Sequence, residues 1–119
     1  MPLELGFFAI PVTDMKASQE FYACVMGWAF CDRDNSFAYI FSGEEMRGSL
    51  NLRSPSFRPG VDGPRMFFRA ESIKEILAKV KEAGGQVVES AAIEGGDRGY
   101  QGTARDPSGN TICFWAANS

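Results

Sequence analysis

The feature that most constrains this chain is a pattern that occurs twice. An alternating apolar run leads into an amphipathic helix, three further short strand-like runs follow, and the same order then begins again. The helical stretches Asp14–Gly27 and Glu71–Gly84 have the same length. The repetition is one of pattern, not of residue identity. One amphipathic helix and four strands with a single apolar face can bury that face only against each other. The pattern therefore predicts an α+β fold: two tandem βαβββ modules forming a curved mixed sheet, with the helices outside and a cleft at the centre.

Leu5–Val12 reads as a strand, with Phe8, Ile10 and Val12 on one face and Phe7, Ala9 and Pro11 on the other. Pro11 has no N–H, so that strand end lies at an edge or a break. Asp14 is placed to cap a helix that runs to about Met26, buries Ser18, Phe21, Tyr22 and Val25, and stops at Gly27. Phe21 and Tyr22 are read as core, because aromatics on such a stripe pack far more often than they bind. Strands are expected at Trp28–Arg33, Phe37–Phe41 and Gly48–Arg53. In the last of these Leu50 and Leu52 point inward, and Ser49, Asn51 and Arg53 point away.

Residues 54–63 are rich in Pro and Gly and form a linker too short to separate independent domains. The chain is thus one domain, with module one at about 3–53 and module two at about 64–117. The second module opens with a strand, Arg65–Ala70, whose Met66, Phe68 and Ala70 face the core and whose Arg65, Phe67 and Arg69 face away. Ser72 and Glu75 make a capping box. Ile73, Ile76, Leu77 and Val80 then mark a helix that Gly84–Gly85 ends. Strands follow at Gln86–Glu89, continuing through Ala91–Ile93 past a bend, and at Tyr100–Arg105 and Thr111–Ala116. The last is entered by Asp106-Pro107-Ser108-Gly109, a sequence suited to a type I turn. Beyond it, Ile112 and Phe114 face the core. Thr111, Cys113 and Trp115 face the other side, as the wall of a pocket or, in the case of Cys113, as a small buried apolar residue.

Composition excludes whole classes of chemistry. There is no histidine, so neither a Ser-His nor a Cys-His nucleophile can form. Any metal would have to be held by carboxylates and thiolates alone. Cys24, Cys31 and Cys113 are odd in number and lack metal-type spacing, which argues against a disulfide framework or a zinc site. A net charge of −3 without a basic cluster argues against nucleic acid as partner. No apolar run approaches the roughly 18 residues of a membrane span and no signal-peptide pattern opens the chain, so a cytoplasmic protein without a membrane partner is expected.

Taken together, Ile10-Pro11-Val12-Thr13-Asp14-Met15, Phe21-Tyr22 with Gly27-Trp28, Gly84-Gly85, and Asp106-Pro107-Ser108-Gly109-Asn110 resemble the vicinal oxygen chelate superfamily over the whole chain. That group includes glyoxalase I, bleomycin-resistance proteins and extradiol dioxygenases. The likeness is strongest to small glyoxalase-related bacterial proteins of unassigned activity. It implies paired βαβββ modules, a homodimer, and a divalent metal held by one side chain from the first and last strand of each module. Carried over position by position, it puts Phe7, Asn51, Arg65 and Cys113 where the metal ligands would stand. Phe cannot ligate, Arg is a fixed cation, Asn is a weak neutral donor, and one thiol alone does not hold a catalytic metal. The resemblance therefore implies the fold without the metal, and no cofactor.

Three functions follow from these residues. The first is binding of a small organic molecule, anionic or aromatic, in the cleft between modules. Phe7, Phe67, Trp28 and Trp115 would supply its walls, Arg65 or Arg69 an anion contact, and Asn51 a polar one. The second is a metal-independent enzyme using Cys113 beside Arg65, or a metal-dependent lyase or dioxygenase with a relocated site. The third is an accessory module whose cleft is filled by its own side chains or by a partner chain.

Overall fold

The computed structural model describes residues 1–119. In chain order its elements are β1 (Phe8–Val12), α1 (Met15–Met26), β2 (Ala29–Asp34), β3 (Phe37–Ser42), β4 (Glu45–Leu52), β5 (Phe67–Arg69), α2 (Ile73–Glu82), β6 (Gln86–Ala92), a single 3-10 turn at Glu94–Gly96, β7 (Tyr100–Arg105) and β8 (Thr111–Ala116). The strands form two four-stranded sheets, ordered β1-β4-β3-β2 and β5-β8-β7-β6. In each sheet the first strand runs parallel to the last, with Ile10 opposite Leu50 and Phe68 opposite Phe114, and the remaining pairs are antiparallel. A parallel pair needs a crossover, which the helix after the first strand begins. The architecture is the α+β fold of two βαβββ modules. Neither helix is long and apolar enough to cross a membrane.

The helix ends follow from local chemistry. Asp14 Oδ1 accepts from the Ala17 amide at 3.0 Å, and Gly27, left-handed at φ 72°, returns its N–H to the Ala23 carbonyl. In α2, Ser72 Oγ accepts from the Glu75 amide at 3.3 Å. The buried stripes of the helices, Phe21, Tyr22 and Val25 on α1 and Ile73, Leu77 and Val80 on α2, join the inward residues of both sheets in one continuous core. Gly85 makes the close fit between modules possible. A Cβ there would lie 2.5 Å from Phe21 Cε1 and 2.7 Å from the Arg105 carbonyl oxygen.

Several details differ from the sequence pattern, among them the start of β4, at Glu45 rather than Gly48. β1 begins at Phe8 rather than Leu5, and β5 is cut to Phe67–Arg69. Ahead of β5 the linker is tied to the start of β8: Gly60 N–H donates to Asn110 Oδ1 at 3.3 Å, and Thr111 Oγ1 donates to the Val61 carbonyl at 3.2 Å. These long-range bonds are invisible to a pattern of alternation. β6 runs on to Ala92, absorbing its irregularity as a register shift between Val87 and Glu89. Leu52, expected in the core, is 40% exposed at the last position of β4.

Candidate functional site

The ladder registers decide which outward-facing side chains become neighbours. In the second sheet Glu89, Thr103, Cys113 and Phe67 form one cross-strand row on the face away from the helices. Ala91, Gln101, Trp115 and Arg69 form the next row, and Arg105 stands opposite Thr111. In the first sheet the outward row is Ala9, Ser49, Tyr39 and Cys31, with Pro11, Asn51 and Phe37 beside it.

Phe67 is 48% exposed on this face, and Phe7, just ahead of β1, is 47% exposed. Arg69 holds its guanidinium 5.5 Å from the Trp115 ring centroid, and the Trp115 indole N–H donates to the Arg98 carbonyl at 2.9 Å. Asn51 accepts from the Ser49 hydroxyl at 2.6 Å, which leaves its amide N–H₂ to donate. Arg65 lines a crevice of about 320 Å³ where β1 (Ala9, Pro11) meets the linker (Phe57, Arg58) and Thr111. Cys113 is wholly buried within its row.

Trp28 stands apart from the other candidates. It stacks on Tyr22 at 5.3 Å between centroids and meets Phe8 and Phe68 at 5.6 Å each. Its place is the aromatic seam between modules, on the helix side of the sheets, so its ring packs core and does not wall the outward face.

The register also bears on one position in the expected chelate set. Phe7 and Arg65 each lie seven residues before their helix cap, Asp14 and Ser72. Ala9 and Phe67, two residues further on in each module, pair with Ser49 and Cys113. The counterpart of Cys113 on β4 is therefore Ser49, not Asn51. By this internal symmetry Ser49 joins Phe7, Asn51, Arg65 and Cys113 as a candidate for the four positions. Counting between two apolar residues had favoured Asn51, but Ser49 has the same apolar flank at Leu50, and only pairing separates them.

Sequence reasoning missed Arg105. It lies on the outward face, and its Nη1 is buried without a hydrogen-bond partner. Leaving a charged donor unmade in the interior is costly. The ion pairs of the chain are Arg33–Asp34 and Arg47–Glu45, so Arg65, Arg69 and Arg105 have no carboxylate partner. Alternation alone would have put Arg105 on this face; its burial depends on neighbours that only the fold supplies. Two ionisable groups are shifted, and both shifts have local causes. Burial, then the Asp106 charge and its hydrogen bond, push the Tyr22 phenol well up. The hydroxyl and backbone N–H of Ser36 lower the exposed Asp34 carboxyl. No three His, Cys, Asp or Glu side chains converge in a way that could hold a metal ion.

The fold has many solved relatives. A glyoxalase-related enzyme from Fulvimarina pelagi is 21% identical over 96% of this chain and 88% of its own, with a TM-score of 0.73. The fosfomycin resistance protein FosX from Mesorhizobium loti is 10% identical over 98% and 93%, with a TM-score of 0.74. An antibiotic binding protein from a Streptomyces species is 21% identical over 97% and 96%, with a TM-score of 0.69. At these identities the likeness is one of fold. No curated protein matches the chain. The model of the Glyoxalase/Bleomycin resistance protein/Dioxygenase superfamily matches residues 4–114, nearly the whole domain, and with its paired βαβββ modules the chain belongs to that superfamily.

Proposed function

We propose that this member of the superfamily works without a metal and binds a small organic anion with an apolar or aromatic body in the cleft between its modules. The observation that carries the reading is the set of side chains at the candidate chelate positions, Phe7, Ser49 or Asn51, Arg65 and Cys113. A phenyl ring offers no lone pair, a serine hydroxyl or an asparagine amide is a weak neutral donor, and a guanidinium repels a cation. The remaining thiol is one donor where a catalytic metal takes three or more. These residues do not fit a divalent ion.

They suit an anion better. Arg69 and Arg105 share the outward side of the second module and Arg65 lines the crevice beside β1, none of them with a carboxylate partner, and Arg105 Nη1 is buried with nothing to bond. A carboxylate or phosphate would satisfy such donors. Phe67, between Arg65 and Arg69 in sequence, gives an apolar surface for the rest of the ligand. One solved relative is an antibiotic binding protein, so binding as such has a precedent on this fold. A homodimer belongs to the same proposal, because exposed Phe7 and Phe67 would suit a second copy as well as a ligand; light scattering at micromolar concentration tests it. The reading of Cys113 as a nucleophile finds less support, since its sulfur is closed off from solvent.

The test begins with elemental analysis after equilibration with zinc, nickel, manganese and iron(II). Less than stoichiometric metal is expected, and one tightly held ion per chain would sink the proposal. Thermal-shift titration with benzoate and phenyl phosphate follows. Arg65→Ala and Arg105→Ala should each weaken binding of the better probe about tenfold, the loss of one charged hydrogen bond. An unchanged dissociation constant would remove that residue from the site.

A further inference from the structure

We infer that the chain carries a second ligand site, a groove between α2 and β6 on the helix side of the second sheet, that takes an amphipathic carboxylate. The two modules are internal controls for each other. Gln19 and Leu77 each lie five residues after their helix caps, Asp14 and Ser72. On the sheets, Ile10 and Phe68 each precede the cap by four residues, and their ladders run Ile10–Leu50–Ala38–Asp32 and Phe68–Phe114–Gly102–Ser90. Asp32 and Ser90 are thus equivalent positions on the two edge strands.

In module one a polar bridge spans this slot: Gln19 Nε2 donates to Asp32 Oδ1 at 2.6 Å, tying α1 to its edge strand. In module two the equivalent pair is Leu77 and Ser90, which cannot bridge. A groove of about 410 Å³ lies there instead, with Ile73, Leu77, Val87, Ala92 and Tyr100 along it. That volume is within the range of small-molecule sites. Module two thus presents apolar surface where module one makes a hydrogen bond.

The charge at the groove's edge selects the ligand. Lys74 and Lys81 both line it, both are exposed, and neither has an ion-pair partner. Seven residues apart, they stand two turns along one side of α2, about 10 Å from each other. No Asp or Glu side chain is among the lining residues, which also include Ser119, whose carbonyl oxygen accepts from Ser72 Oγ at 2.8 Å. An apolar floor between two free ammonium groups complements a single carboxylate on an aliphatic body, with the Ser90 hydroxyl available as a further donor. This site lies on the opposite side of the sheet from the anion-binding face proposed above and does not depend on it.

Dodecanoate is the probe, below its critical micelle concentration, with dodecanol as the uncharged control. Isothermal titration of the whole chain should show saturable, equimolar binding of dodecanoate. Lys74→Glu with Lys81→Glu should weaken it about tenfold or more while leaving dodecanol binding unchanged. Leu77→Gln with Ser90→Asp, which installs the bridge of module one, should abolish binding. Ala92→Trp fills the groove from β6 and should do the same if the bridging variant fails to fold. Absence of saturable dodecanoate binding would overturn the inference. So would binding that survives Ala92→Trp, or that is lost in Arg65→Ala with Arg69→Ala while the groove variants retain it.

Discussion

The Tyr22 hydroxyl donates a 2.6 Å hydrogen bond to Asp106 Oδ2, and both residues are buried. The bond joins the helix of module one to the turn before the last strand of module two. Asp106 Oδ1 also accepts from the backbone N–H groups of Ser108 and Asn110, both at 2.9 Å, and Oδ2 accepts from Asn110 Nδ2 at 2.9 Å. Asn110 Nδ2 in turn donates to the Pro11 carbonyl at 2.7 Å, and Ser108 Oγ accepts from the Thr13 amide at 2.8 Å. A turn that is local in sequence therefore works as the latch between modules.

Tyr22→Phe should cost about 1.5–3 kcal/mol of unfolding free energy, the worth of a hydrogen bond to a charged group. Asp106→Ala should cost about 3 kcal/mol or more, because it strips three other donors of their acceptor. The two losses should not add. Urea unfolding of both single variants and the double variant measures the coupling, expected at about 1 kcal/mol or more for groups in direct contact. Strict additivity would mean that the bond contributes nothing across the modules.

The same contact sets an alkaline limit. Burial first, then the Asp106 charge and hydrogen bond, raise the Tyr22 phenol above its ordinary value. A raised folded value favours the protonated group, so its contribution is fully present below about pH 10, where the unfolded phenol titrates. It is lost as pH rises above that value towards the folded one. Unfolding curves between pH 8 and 11 should show a decline at the alkaline end that is smaller in Tyr22→Phe. Parallel curves for the two proteins would refute it.

Gly48 lies opposite Phe8 in the β1–β4 ladder, and a Cβ added there would fall on the Phe8 carbonyl oxygen. Backbone cannot swing aside as a flexible side chain can. Gly48→Ala should therefore destabilise the protein by about 1–3 kcal/mol, as overpacking does. Gly43, with open space around its own added Cβ but a φ of 65°, separates crowding from backbone strain in the same assay. An unchanged midpoint in Gly48→Ala would show that β1 can move away from β4.

Cys24 and Cys31 are exposed and Cys113 is buried. A disulfide-exchange reagent should therefore titrate two thiols in the native protein and three in guanidinium chloride. Rapid labelling of all three in the native state would show that the row around Cys113 opens readily, and would bring the nucleophile reading forward.

The candidate site was only partly legible before folding. Alternation placed Phe67, Arg69, Cys113 and Trp115 on one face of the second sheet, and the ladder agrees, because side-chain alternation is a local property of an extended backbone. Trp28 defeated the same logic. It stands just past Gly27 and ahead of β2, and its ring turns into the seam between Phe8, Tyr22 and Phe68, partners from three separate elements. Ser49 and Asn51 could be told apart only by which one stands level with Ala9 across the ladder. The Pro/Gly-rich stretch looked like a plain linker, yet Gly60 and Val61 bond to the start of β8.

What the sequence by itself determined was whatever depends on near neighbours: the caps at Asp14 and Ser72, the buried stripes of both helices, the face of each strand, and the impossibility of histidine chemistry. These rest on periodicities of 2 and 3.6 residues and on composition, and need no partner segment. Tertiary structure alone decided the rest: Asp106 as an inter-module latch, Ser49 as the counterpart of Cys113, the unpaired Arg105 guanidinium nitrogen, and a slot bridged by Gln19 and Asp32 in one module but open in the other. Each depends on register or packing between residues far apart in the chain. Local pattern says which way a side chain points, and only the completed ladder says what it meets.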